Sequence, residues 1–80
     1  MQILKCHEAE ELGRSLAERA PNCRTFGGTM AEQPDFKIRD WANCELEASV
    51  RVRRGAEMGA HTAFRRGFNK GLGRDLFDVS

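Results

Sequence analysis

From residue 55 to residue 71 every fourth position is glycine or alanine: Gly55, Gly59, Ala63, Gly67 and Gly71. Glycine inside a helix costs about 1 kcal/mol relative to alanine, so several at one spacing call for a structural use. On a helix they form a seam without side chains, along which another helix or a nucleic-acid backbone can approach the main chain. The familiar seam of this kind belongs to membrane helices. This one is interleaved with Arg65, Arg66 and Lys70 and has to work in water. Three occupants are open to it: a helix from the chain's own N-terminal part, a second copy of the chain, or an external partner.

A helix to meet the seam is legible upstream. Ala9, Leu12, Leu16 and Ala20 recur at three- and four-residue steps. Glu8, Glu10 and Glu11 fall in the first turn, where the helix dipole favours negative charge, and Arg14 and Arg19 fall later. Pro21 stops the pattern, because a residue before proline avoids helical geometry, and the helix is predicted over 8–19. Residues 22–34 read as connection, with Gly27-Gly28 as a breaker pair, and Phe26 and Met30 are expected to pin it to the core. A phosphate-cradling role for the glycine pair lacks the rest of the required motif.

Beyond Pro34, Asp35 is a candidate N-cap. Phe36, Ala42, Leu46, Val50, Ala60, Phe64, Phe68 and Leu72 gather on one helical face. The stretch 45–53 also alternates strictly between polar and apolar residues, which is a strand signature. Its Glu, Leu, Ala and Arg nevertheless favour helix. An unbroken helix over 35–72 would be about 57 Å long, whereas a chain of this size has a radius of gyration of about 12 Å. The rod must therefore be packed by another chain or break, and Gly55, following Arg53-Arg54, is the natural C-cap. The fold expected is one small all-α domain spanning 1–80, with helices at 8–19, 36–54 and 56–72 and open to self-association. The alternative is α+β with a strand near 45–53. Leu76 and Phe77 are expected to fold back onto the core, with Trp41 as a core anchor.

Net charge is +1, but the charges segregate. Residues 1–40 hold six Lys/Arg and seven Asp/Glu, whereas Arg51, Arg53, Arg54, Arg65, Arg66, Lys70 and Arg74 face a single acid, Glu57, between residues 51 and 74. On a continuous helix Arg51, Arg54 and Arg65 would share a stripe about 21 Å long, with His61 and Asn69 near its edges. Arginine forks match carboxylates and phosphates alike. The stripe therefore suits an acidic protein surface or a nucleic-acid backbone. A pI of about 7.8 is low for a dedicated nucleic-acid binder.

Cys6, Cys23 and Cys44 are an odd set at irregular spacing, which suits reduced thiols better than a disulfide framework. With His7 and His61 they include zinc-binding residue types but lack the clustered spacing of a metal site. Cys44 with His61 could be paired as nucleophile and base, yet no nucleophile motif surrounds Cys44. The first residues lack the apolar core of a secretion signal, and no apolar stretch is long enough for a membrane span. The expectation is a soluble, cytoplasmic, non-enzymatic binding protein without cofactor, metal or small-molecule substrate. Its predicted binding residues are Arg51, Arg53, Arg54, Arg65, Arg66, Lys70 and Arg74, with Gly59, Ala63 and Gly67 for close approach. The expected partner is a larger protein or a second copy; a nucleic acid gripped by Arg51, Arg54, Arg65, Arg66 and Lys70 is the alternative. A short chain of segregated charge without a catalytic motif has the style of small phage or mobile-element inhibitors and adaptors, such as anti-defence proteins acting on a host nucleic-acid machine. That is an analogy of size and style, with no residue motif behind it.

Overall fold

The computed structural model describes residues 2–79 and has three helices: α1 (Cys6–Arg19), α2 (Asp35–Arg53) and α3 (Ala60–Leu72). A two-stranded antiparallel hairpin, β1 (Arg24–Thr25) and β2 (Gly28–Thr29), lies between α1 and α2, with Arg24 opposite Thr29 and Thr25 opposite Gly28. Short 3-10 turns at Ala20–Asn22 and Met30–Glu32 flank the hairpin. The alternating stretch 45–53 is helix, so its strong helix formers prevail over the strand-like pattern.

The core forms where α1 lies against α3. Gly13 of α1 meets the backbone of Phe64 and Phe68, while Gly67 and Gly71 of α3 meet the backbone of Glu10 and Arg14. A methyl group at any of the three would press into main-chain atoms of the other helix. Ala63, Phe64 and Phe68 are buried beside this crossing with Ala9, Leu16 and Ala17. The second face of α3 takes Ile38, Ala42 and Leu46 of α2, all fully buried. Trp41 meets the Phe68 ring edge-on at 6.3 Å, and Phe77 does the same at 5.7 Å.

Asn69, the one buried polar residue among those described, fastens the tail. Its Oδ1 accepts from the backbone N–H groups of Leu76 and Phe77, each at 2.9 Å, and its Nδ2 donates to the Phe77 carbonyl at 2.8 Å. Leu76 and Phe77 thereby fold onto the core at 6 % and 7 % exposure.

Several local expectations give way. Helix three starts at Ala60 rather than 56, because 55–57 run alongside the N-terminal lead-in. Leu4 N–H donates to the Gly55 carbonyl at 3.0 Å, Glu57 N–H donates to Leu4 O at 2.8 Å, and Leu4 and Ala56 form a parallel bridge. Helix two ends one residue sooner than the expected 54, with Arg54 in the left-handed conformation (φ 64°). Arg54 N–H donates to Arg51 O at 3.2 Å and Gly55 N–H to Val50 O at 2.9 Å, which is a Schellman closure with arginine in the position glycine usually fills. Asp35 is the first helical residue and makes no side-chain cap; Pro34 precedes it as N-cap. Phe26, at the hairpin tip, is wholly exposed, and Phe36 is exposed too, whereas Met30 packs on the core as expected.

Candidate docking site

The small-residue ladder divides into two parts. Ala63, Gly67 and Gly71 belong to the α1–α3 crossing just described, so the occupant of that seam is the chain's own first helix. Gly55 and Gly59 lie outside the helix with φ of 139° and 87° and serve the bend between α2 and α3. Gly67 and Ala63 are buried, which leaves neither of them a surface on which a partner could approach. Gly59 remains exposed. The contribution of Gly13 to the seam is not visible in the four-residue pattern, because it comes from the opposite helix.

The basic residues divide as well. Arg53 reaches back to α1 and donates to both carboxylate oxygens of Glu8, at 3.1 and 3.3 Å. Lys70 donates to Glu10 at 2.9 Å, and Arg74 to Asp35 at 2.8 Å. These contacts hold Glu8, Glu10 and Asp35 below the usual carboxylate range; for Glu8 the larger cause is the N–H of Lys5, and Arg53 comes second. Arg65 lies over the Phe77 ring, 5.8 Å from its centroid. Arg51, Arg54 and Arg66 form no ion pair among the described residues. Because the helix breaks at Arg54, the continuous stripe through Arg51, Arg54 and Arg65 does not form. Instead Arg51 and Arg65 each stand one turn from the bridge that joins α2 to α3, in which His61 Nε2 and Glu47 Oε1 are 3.3 Å apart.

Around the α2–α3 bend the surface combines charge with exposed apolar atoms. Met58 is 96 % exposed and Ile3 43 %. Ile3 packs beside Gly55, where a Cβ would lie 3.4 Å from its Cγ2, and the Met58 carbonyl accepts from the Cys6 thiol at 3.3 Å. Arg54 and Lys5, both exposed, are the chain neighbours of Gly55 and Leu4, which are joined by a backbone hydrogen bond here. Glu57 braces the bend from within: its carboxylate accepts the Cys6 N–H at 3.0 Å, satisfying an unpaired donor at the start of α1. That bond keeps Glu57 below its ordinary value of 4.5, and the neighbouring carboxylate pushes the Cys6 thiol up, so Cys6 sits here as a neutral thiol. The sequence marks this bend by its glycines, but gives no sign that Ile3 and Leu4 run alongside it.

Among the described residues no group of three or more His, Cys, Asp or Glu side chains is placed to hold a metal ion. No described helix is long and apolar enough to cross a membrane. No family model matches the chain, and neither a curated protein nor a solved structure matches it significantly.

Proposed function

We propose that the chain is a small, non-enzymatic, cytoplasmic binding protein that docks on a larger protein through the α2–α3 bend. The observation that carries this reading is the exposure of Met58 and Ile3 at the bend next to Arg54, a cation without an ion pair among the described residues. An apolar centre with an arginine rim suits an acidic protein surface, since arginine anchors interfaces through bidentate contacts and stem packing. The backbone at Arg54 supports it further. A non-glycine residue in the left-handed region costs on the order of 1 kcal/mol, and glycine would fit there without that cost. An arginine kept in such a place is explained by what its side chain does.

The phosphate-gripping alternative has less to draw on. Of the seven cations counted between residues 51 and 74, Arg53, Lys70 and Arg74 already face carboxylates, and Arg51 and Arg54 lie on α2 and its C-terminal cap whereas Arg65 and Arg66 lie on α3.

Arg54→Gly tests the proposal. It is expected to stabilise the fold by about 1 kcal/mol while weakening capture of the partner. The capture uses purified chain on nuclease-treated lysate from the source cell, followed by direct binding to the captured protein once purified. Undiminished binding by Arg54→Gly combined with Met58→Ser would refute this surface. Capture that disappears on nuclease treatment would favour the nucleic-acid reading instead.

A further inference from the structure

The close helix pairing is that of α1 with α3; α2 approaches both more loosely, and a cleft of about 650 Å³ opens between α1 and α2. Its α1 wall carries His7, Glu8, Glu11, Leu12 and Ser15, with Leu4 at the base. Its α2 wall is Glu45, Ala48, Ser49, Val52 and Arg53. These five are spaced i, i+3, i+4, i+7, i+8, which is one continuous helix face about 12 Å long. Val52 on this face is 65 % exposed, and Ala48 is exposed.

This face is its own complement. Small residues, Ala48 and Ser49, occupy the centre, an acid occupies one end and a base the other. Glu8 is held by Arg53 and Glu11 by Arg14, so Glu45 is the cleft acid without an ion pair among the described residues. We propose that a second copy of the chain covers this cleft, with α2 antiparallel to its counterpart about a two-fold axis passing between Ala48 and Ser49. That arrangement brings Glu45 of each copy beside Val52 and Arg53 of the other, where the guanidinium that holds Glu8 has further N–H groups to offer a second carboxylate. A parallel arrangement would set Glu45 against Glu45 and Arg53 against Arg53. The small central residues let the two helices approach closely, and each Val52 leaves water. The contact uses the same patch twice and closes at two copies, the commonest symmetric assembly. The wall is shorter than a standard interface, which buries about 800 Å² per partner, so the dimer belongs to the weak, concentration-dependent class. The cleft adjoins the bend through Leu4 and Arg53, but neither Met58 nor Arg54 lines it, so Ala48→Arg and Arg54→Gly test self-association and partner docking separately.

Sedimentation equilibrium of the full chain from about 10 μM to about 1 mM reads the proposal directly. The mass is expected to rise with concentration from 9.0 kDa towards twice that value. Ala48→Arg places a charge at the axis facing its own copy and should raise the dimer Kd about 100-fold. Ala48 is exposed in the single chain, so helix content by circular dichroism should be unchanged. Glu45→Arg opposes Arg53 of the second copy and should weaken the dimer about 10-fold. Phe26→Ser, on the distant hairpin, should leave it intact. A chain that stays monomeric at the highest concentration overturns the proposal, and so does an Ala48→Arg chain that still dimerises as wild type does. Glu45→Arg without effect overturns the antiparallel arrangement on which the proposal stands.

Discussion

Gly67→Ala is the sharpest perturbation of the α1–α3 crossing. The added methyl would lie 2.8 Å from the carbonyl carbon of Glu10 and 3.0 Å from its Cα, and nearer still to the carbonyl oxygen, whereas ordinary contact begins at 3.4 Å. These are main-chain atoms of a helix and cannot swing aside as a side chain can. Helix α1 must therefore move off α3 by about 1 Å, which loosens the contacts at Gly13 and Gly71 in a densely packed core. Overpacking of this kind costs about 3 kcal/mol, at the upper end of its usual range. Alanine's better helix propensity returns about 1 kcal/mol, leaving a net loss of about 2 kcal/mol. For eighty residues total stability is roughly 4–12 kcal/mol, and the melting temperature should fall by about 10 °C. Thermal and urea unfolding followed by circular dichroism measure both quantities. Thr62→Ala, exposed on α3, is the control and should change stability by less than about 0.5 kcal/mol. Combined with Gly13→Ala, the loss should be less than additive, because helices already parted accept the second methyl more easily. A Gly67→Ala chain as stable as wild type would refute the close crossing.

Asn69→Ala strips the Phe77 N–H and carbonyl of their side-chain partner and leaves the Leu76 N–H with the Arg74 carbonyl alone; it should cost about 3 kcal/mol, with faster amide exchange at Phe77 as its local signature, and slow exchange there would mean that the tail is held otherwise. Glu8, Glu10, Glu32, Asp35 and Glu57 all titrate below their ordinary values, 4.5 for glutamate and 3.8 for aspartate. The stability they lend is present above those values and is lost as pH falls through them, because the unfolded chain then takes up protons more readily. The melting temperature should therefore drop on acidification below about pH 4.5, and Glu57→Gln should make that drop shallower. An acid limb with the same slope in Glu57→Gln would show that the cap on α1 does not depend on the charge.

The helices were legible because each announces itself locally. Ala9 and Leu16 repeat at helical spacing, Pro21 stops the first helix, and Gly55 marks the bend after the second. Misjudged boundaries came from contacts between distant residues. Leu4 pulls Gly55 to Glu57 into a bridge that no pattern around residue 56 could disclose, delaying α3 to Ala60. The hairpin was hidden for the opposite reason: two residues per strand carry no periodicity, and Phe26 looks like a core residue in sequence while standing clear of the core in space. For the candidate site the charge count was right and its meaning was incomplete. Carboxylates for Arg53, Lys70 and Arg74 come from the N-terminal half of the chain and from the start of α2, so pairing could not be read from the basic segment itself. Of the five-residue ladder only Ala63, Gly67 and Gly71 belong to a seam, Gly55 and Gly59 serving the bend instead, and the opposite side of the seam includes Gly13, a residue with nothing unusual around it in the sequence.

The crossing of the first and last helices also governs how the molecule comes into being. Residues 6–19 find their main support in residues 60–72, with α2 and the hairpin strung between them. Loop closure over some forty residues must precede most of the gain from burial. During synthesis the first helix emerges long before its support exists, and little of the native core can assemble until the third helix has been made. A fragment ending before Ala60 would keep its apolar face exposed, prone to fray or to cluster with others of its kind. The two ends of this chain therefore fold together, and losing either one leaves the other without a core.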